Sequence, residues 1–389
     1  MFKVRTYNTI SPLGLNRFPR DRYDVAPGLE QPEAIILRSQ KLHDEVIPSS
    51  VLAIGRAGAG VNNIPVADYT KKGIVVFNTP GANANAVKEL IAAALFLSSR
   101  DIYGGISYVE TLGHMKDGAE MSKLLEKEKK RFAGSELLGK TLGVVGLGAI
   151  GSMVANMALD LGMHVLGYDP AISVEAAWRL HSSVEKMDSL AALLSRSDYI
   201  TLHVPAIEAT RHLINRDTLA SFKKGAKLLN FAREEIVETS ALLEALDTGH
   251  LGGYTADFPA PGLIGKPNVV LTPHIGASTR EAEENCAIIA ADQLIDFLEN
   301  GNIKNSVNFP PTAMARSGGY RLTFSNNNVP KVLSNVLAIL SESNNNVIDL
   351  VNKSRENIAY NIIDVEQKPS AETIAKIRGT DGVIHIRVL

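Results

Sequence analysis

One hexapeptide constrains this chain more than any other feature. Gly146-Leu147-Gly148-Ala149-Ile150-Gly151 has the spacing G-x-G-x-x-G. Its surroundings are the ones that spacing needs. Thr141 to Gly146 reads as an apolar strand, Ala149 to Leu161 as a helix, and His164 to Tyr168 as the next strand, closed by Asp169. In such a unit the first glycine permits a tight turn, the second lets the backbone approach a pyrophosphate, and the third lets helix and strand pack closely. The first helical turn, with Ala149 and Ile150, then offers N–H groups and the positive end of the helix dipole to phosphates. A carboxylate at Asp169 accepts hydrogen bonds from ribose hydroxyls and repels a 2′-phosphate. The pattern therefore predicts an NAD site rather than an NADP site.

The rest of the chain fits an alternation of strands and helices. Ala34 to Leu37, Val51 to Ile54 and Ile74 to Phe77 read as buried strands, with a Gly-rich turn from Arg56 to Asn63 and an Ala- and Leu-rich helix from Ala84 to Ser98. Later strands are Tyr199 to Val204, Lys227 to Ala232 and Val269 to Leu271. A helix from Thr279 to about Asn300 follows, with an apolar face of Ala287, Ile288, Ala291, Leu294 and Leu298. The stretch MSKLLEKEKKRF, within 101–134, reads as a solvated helix or as an arm at a contact. GNIKNSVNFPPTAMARSGG reads as a linker. Gly319 to Leu389 then follows a β-α-β-β-α-β order, with the two SNNN runs at 325 and 343 as turn and cap residues. The expected fold class is α/β: two Rossmann-like, doubly wound parallel-sheet domains plus a C-terminal ferredoxin-like module.

Composition removes other classes. The 389 residues predict two or three domains. Forty basic against forty-two acidic residues leave no global field to hold nucleic acid or an anionic membrane. The single cysteine, Cys286, excludes a disulfide framework and a cysteine-built metal site, and it suits a reducing compartment. No metal is expected. The opening residues lack the apolar core of a secretory signal, and no apolar run is long enough for a membrane span, so the expected setting is the cytoplasm.

Six segments together resemble the D-isomer-specific 2-hydroxyacid dehydrogenase family: RAGAGVNNI (56–64), GIVVFNTPGANANAVKEL (73–90), GVVGLGAIG (143–151), LHVP (202–205), LNFAR (229–233) and TPHIGAST (272–279). They occur in that family's order. The C-terminal module resembles an ACT domain, and GNIKNSVNFP is similar to the family branch that acts on 3-phosphoglycerate. The resemblance implies a substrate domain from 1–100 and 285–310, an NAD-binding domain from 101–284, an ACT regulatory domain from 318–389, and a substrate held in the cleft of the first two. It also implies NAD-dependent oxidation of 3-phospho-D-glycerate to 3-phosphooxypyruvate, which opens the phosphorylated route to L-serine. The alternatives are reduction of another 2-oxo acid, such as hydroxypyruvate or glyoxylate, and a catalytically lapsed NAD sensor.

The same resemblance assigns residues. Hydride transfer to NAD⁺ needs the alcohol proton removed, and histidine titrates near neutral pH. His274, after an apolar strand, is the expected acid/base. Arg233, at the end of LLNFAR, is expected to grip the substrate carboxylate and polarise the reacting oxygen. Amides of Arg56-Ala57-Gly58-Ala59 are expected to take the carboxylate and Arg56 the phosphate. Arg38 and Ser39 can also approach, and Asn78 lines the same site. His203, Val204 and Pro205 fall on the adenine side of the cofactor. Phe231, Ala232 and Gly276 fall near the nicotinamide, and Asp257 takes its carboxamide.

Two departures from the family stand out. The family's histidine-paired glutamate has no counterpart, since no glutamate lies between Tyr254 and Arg280. Asp257 serves both roles, a carboxylate reaches in from elsewhere, or His274 acts alone with an alkaline preference for oxidation. In the ACT signature, Asn328-Val329-Pro330-Lys331 carries lysine where the family has glycine. An L-serine effector site and a ligand-free dimerisation module both stay open. The expected assembly is a homodimer or homotetramer.

Overall fold

The computed structural model describes all 389 residues. They form two compact units, Met1–Asn83 with Arg280–Leu389, and Ala84–Thr279.

The first unit opens with a parallel sheet of β1 (Phe2–Thr6), β2 (Tyr23–Ala26), β3 (Ala34–Leu37), β4 (Ala53–Arg56) and β5 (Val75–Phe77), in the order β2-β1-β3-β4-β5. β3 is apolar throughout because both faces are covered. Ala34 and Ile36 point into one core, Ile35 and Leu37 into the other. The Arg280–Asn300 helix covers the first face through Ala287, Ala290, Ala291, Leu294, Phe297 and Leu298. The NSVNFP segment closes the free edge of β5. The Val307 N–H donates to the Val76 carbonyl, while the Asn308 side chain accepts from the Val76 N–H and donates to the Ile74 carbonyl. An open strand edge is thereby paired within the chain.

The second unit holds seven parallel strands: β6 (Thr141–Val145), β7 (His164–Tyr168), β8 (Glu185–Lys186), β9 (Tyr199–Leu202), β10 (Lys227–Asn230), β11 (Gly253–Ala256) and β12 (Val269–Leu271). Their order is β12-β11-β10-β9-β6-β7-β8. The order reverses beside β6, and open parallel sheets bind ligands at the carboxyl ends of strands at such a point. The Ala84–Ser99 helix belongs here. Its Val87, Ile91, Ala94 and Leu95 share a core with Val154, Ala155 and Ala158 of the Ala149–Asp160 helix. The compact units part at 83/84 and 279/280. The helices Ile102–Thr111 and Gly118–Glu128 bury no residue, and the first exposes Tyr103, Ile106 and Val109.

Returning to the first unit, β13 (Tyr320–Asn327), β14 (Val347–Arg355), β15 (Ile358–Val365) and β16 (Val383–Val388) pair antiparallel in the order β14-β15-β13-β16. With the helices Val332–Glu342 and Ala371–Arg378 they make the expected β-α-β-β-α-β module. β13 runs on to Asn327, so Ser325 and Asn326 of the first SNNN run are buried strand residues rather than a cap. β15 is buried on both faces. Ile363 and Val365 meet the module's own helices, while Ile358, Tyr360 and Ile362 join the core that contains Phe297 and Phe309.

Three arginines complete this join. The buried Arg321 sends Nε and Nη2 to Asp364 at 2.6 and 2.8 Å, Nη1 to the Asn300 and Met314 carbonyls, and Nη2 also to the Ala315 carbonyl. Arg387 donates to the carbonyls of Phe297 and Leu298, and Arg316 to that of Glu299. The last four carbonyls of the 280–300 helix, which have no partner within a helix, therefore all receive guanidinium N–H groups at the negative end of the helix dipole.

Candidate functional site

In the second unit each motif glycine has its own physical reason. Gly146 has φ +90°, and a Cβ there would lie 2.5 Å from the His203 carbonyl oxygen. Gly151 has no room either, because its Cβ would meet the Gly146 oxygen at 1.9 Å. Gly148 is the opposite case, with nothing within 4 Å of an added Cβ. Its backbone faces open space, at the start of a helix whose first turn has no side-chain cap. That is the surface a pyrophosphate needs. Asp169 ends the adjacent strand. Its Oδ2 accepts from the Leu147 N–H at 2.8 Å and its Oδ1 from the Ala171 N–H at 2.9 Å, which fixes the carboxylate beside the loop. A carboxylate has about four lone-pair sites, so acceptor capacity remains for ribose hydroxyls. These residues fit a bound NAD.

His203 lies beneath that loop. Its Nε2 is 2.9 Å from Thr201 Oγ1, and burial pushes its pKa down to about 3. The ring is neutral at physiological pH and props the turn. Val204 packs its Cγ1 within 3.0 Å of where a Gly146 side chain would begin. Pro205 follows at the end of β9.

Three neighbouring strands, β10, β11 and β12, bring the remaining residues to one edge. The buried Asn230 closes β10. Its Oδ1 accepts from the Ala232 N–H and its Nδ2 donates to the Arg233 carbonyl, shaping the turn Phe231-Ala232-Arg233. Asp257 follows β11 and is 2% exposed. Its Oδ1 accepts from Thr272 Oγ1 at 2.6 Å and the Ile275 N–H at 2.8 Å, and its Oδ2 accepts from the Gly276 N–H at 2.6 Å. Between those anchors His274 is held at φ +58°, a left-handed conformation uncommon outside glycine, and its ring packs 4.9 Å from that of Phe258. Arg233 and His274 thus flank one strand at the same end of the sheet. Both Asp257 oxygens accept from the loop that carries His274, which leaves about one of the carboxylate's four lone-pair sites for another donor.

Asn230, Phe258 and Thr272 are site-building residues that motif reading missed. A buried amide at a strand end was the available signal for Asn230, since such a group needs partners. Phe258 and Thr272 gave none, because their roles depend on the pairing of β11 with β12.

In the first unit, β3 and β4 pair with Leu37 opposite Arg56, so Arg38 and Arg56 leave the sheet side by side. The Arg56 guanidinium folds back over Gly58, where a Cβ would lie 2.3 Å from Nη1. Gly58 leaves the space that this placement of the guanidinium uses, and its φ of +152° lies where side chains are rare. The N–H groups of Ala57 and Gly58 already bond the carbonyls of Leu37 and Arg56, so two of the amides expected to serve an anion are occupied by backbone. Asn78 braces the same turn, with Nδ2 donating to the Ala59 carbonyl at 2.6 Å. Cys286 is buried nearby. Burial pushes its thiol up, against the pull of Arg56 and Arg38. No cluster of three or more His, Cys, Asp or Glu side chains is arranged to hold a metal ion, and no helix is long and apolar enough to cross a membrane.

The chain is similar to known proteins. Residues 108–276 match the family model for the D-isomer specific 2-hydroxyacid dehydrogenase NAD-binding domain. D-3-phosphoglycerate dehydrogenase of Synechocystis sp. is 33% identical, across 100% of this chain and 75% of the relative. The Dictyostelium discoideum enzyme of the same name is 35% identical over 91% of this chain and 86% of the relative. Among solved structures, the NAD⁺-bound 3-phosphoglycerate dehydrogenase of Entamoeba histolytica is 26% identical with a TM-score of 0.61, covering 79% of this chain and 98% of that one. With relatives this similar over three quarters or more of their length, the chain belongs to the D-isomer specific 2-hydroxyacid dehydrogenase family.

Proposed function

We propose that the chain catalyses NAD-dependent oxidation of 3-phospho-D-glycerate to 3-phosphooxypyruvate, the step that commits carbon to L-serine. The observation that carries this reading is the placement of Arg233 and His274 on either side of β11, on the same sheet as the open Gly148 turn. NAD⁺, when bound, supplies the hydride acceptor. The chain's own residues do the rest. The amides of the first turn of the 149–160 helix hold the pyrophosphate, and Asp169 holds the adenosine ribose. Phe231, Ala232 and Gly276 line the nicotinamide side. Arg233 grips the substrate carboxylate and polarises the reacting oxygen. His274 takes the hydroxyl proton as the hydride leaves. In the first unit Arg56, together with the adjoining Arg38, takes the phosphate, while the amides of Ala59 and Gly60 are better placed for an anion than those of Ala57 and Gly58. Asp257 acts on His274 through the loop, by fixing its backbone.

The exposed Tyr103, Ile106 and Val109 support a homodimer formed through the helical arm, and a homotetramer remains compatible with it. Residues 318–389 act as an ACT regulatory module, with L-serine as its effector. The location is cytoplasmic. The test is turnover of purified protein with NAD⁺ and 3-phosphoglycerate, read as NADH, beside NADH oxidation with hydroxypyruvate and glyoxylate and a serine titration. NADH formed from 3-phosphoglycerate, and lost in His274→Ala, is the expected result. Intact turnover in His274→Ala overturns the mechanism, and preferred turnover of hydroxypyruvate or glyoxylate overturns the substrate. No turnover of any substrate leaves an NAD-binding protein without catalysis.

A further inference from the structure

The two arginines at the carboxyl edge of the first sheet are not equally placed. The Arg38 segment is rigid. Asn8 Oδ1 accepts from the N–H groups of Arg38, Ser39 and Gln40 at 3.3, 3.0 and 2.8 Å, and Asn63 Nδ2 reaches the Arg38 and Gln40 carbonyls. Arg56 Nε donates to the Arg38 carbonyl at 3.2 Å, which ties the two side chains' roots together. The Arg38 guanidinium already has an anion. Its Nη2 lies 2.7 Å from Oε1 of Glu283, in the first turn of the 280–300 helix. The two side chains are 42% and 44% exposed, so solutes can reach the pair and no burial locks it.

We propose that Glu283 is a tethered counter-ion that the substrate's phosphate must displace from Arg38. The inference deepens the reading of the chain as an enzyme of 3-phosphoglycerate and rests on it. A phosphate dianion offers the guanidinium three oxygens and about two charges, whereas the carboxylate offers two oxygens and one charge. Phosphate wins the exchange when the rest of its molecule is held elsewhere, and the half-exposed Glu283 can swing into water. Inorganic phosphate or sulfate lacks that second anchor and meets the carboxylate's full competition. A substrate with an uncharged hydroxymethyl end leaves the pair closed. Glu283 therefore sets affinity for phosphorylated ligands without touching the reacting atoms.

Such a residue acts on ground state and transition state alike, so its removal moves KM and not kcat. An exposed ion pair contributes little by itself, and relief of repulsion against a dianion adds to it, so KM for 3-phosphoglycerate in Glu283→Gln is expected to fall about three- to tenfold with kcat within about twofold. The KM for hydroxypyruvate is expected to stay constant. Without turnover, a thermal-shift titration with inorganic phosphate is expected to show tighter binding in Glu283→Gln than in the parent. An active parent whose Glu283→Gln variant keeps its KM, or loses kcat, overturns the inference. A parent inactive on 3-phosphoglycerate overturns the substrate reading, and in that case the phosphate titration alone decides the role of Glu283.

Discussion

Asp257→Asn separates the two ways in which a carboxylate can serve His274. The substitution keeps the shape and removes one acceptor oxygen. In the parent, Oδ1 takes the Thr272 hydroxyl and the Ile275 N–H, and Oδ2 takes the Gly276 N–H. The loop is pressed onto this group, since a Cβ on Gly276 would lie 3.1 Å from Oδ2. An amide can keep the first two partners only by turning its NH₂ toward the Gly276 N–H. One charge-assisted bond is lost and two donors face each other, a cost of about 2–3 kcal/mol. The loop already holds His274 at φ +58°, so this cost falls on its geometry. At 1.36 kcal/mol per factor of ten, kcat/KM should fall about 30- to 150-fold. The assay is steady-state oxidation of 3-phosphoglycerate across pH. The profile should drop in height and keep its shape, because Asp257 acts through the backbone. Activity within about threefold of the parent would refute the positioning argument, and a displaced pH profile would make Asp257 the histidine's direct partner.

Other outcomes follow from the same geometry. Gly148→Val should fold normally, because the position is open, yet bind NAD at least about tenfold more weakly by calorimetry; Gly151→Ala should fail to fold, with its Cβ 1.9 Å from the Gly146 oxygen. Lys331 sits at φ +75° as the N-cap of the Val332–Glu342 helix, so Lys331→Gly should raise stability by about 1 kcal/mol in thermal unfolding, less the extra freedom glycine brings to the unfolded chain. His203 has a folded pKa pushed by burial to about 3, below the unfolded value near 6.5. The unfolded state therefore binds the extra proton first, and stability falls as pH drops below 6.5, by up to about 1.4 kcal/mol per pH unit until the folded group titrates. His203→Gln should flatten that acid slope in urea unfolding between neutral and mildly acidic buffer.

The parts of the site carried by local backbone chemistry were readable in the chain. Gly146 makes the tight turn and Gly151 the close packing that spacing alone suggested, Gly148 faces open space, and Asp169 stands at the end of its strand. Features set by pairing between distant segments were not. Phe2–Thr6 alternates with Lys3 and Arg5 and so lacks a buried strand's apolar run, while Tyr23–Ala26, Glu185–Lys186 and Gly253–Ala256 are too short to show a period. The Ala84–Ser99 helix is apolar enough to join either sheet, and only tertiary packing assigns it to the second unit. Likewise the backbone bond from Ala57 to Leu37 depends on β3 lying beside β4, which residue type does not reveal.

The arginine-capped end of the 280–300 helix has a practical corollary for anyone trimming this protein. Cutting ahead of Arg316 to obtain a two-domain enzyme would strip the Leu298, Glu299 and Asn300 carbonyls of their guanidinium donors, leave the Phe297 carbonyl only its Gly301 N–H, and lay bare the apolar floor under Tyr360 and Ile362. The shortened product would be expected to clump or to recruit a foreign strand. The tail is better regarded as the lid of the first unit's interior than as a detachable accessory.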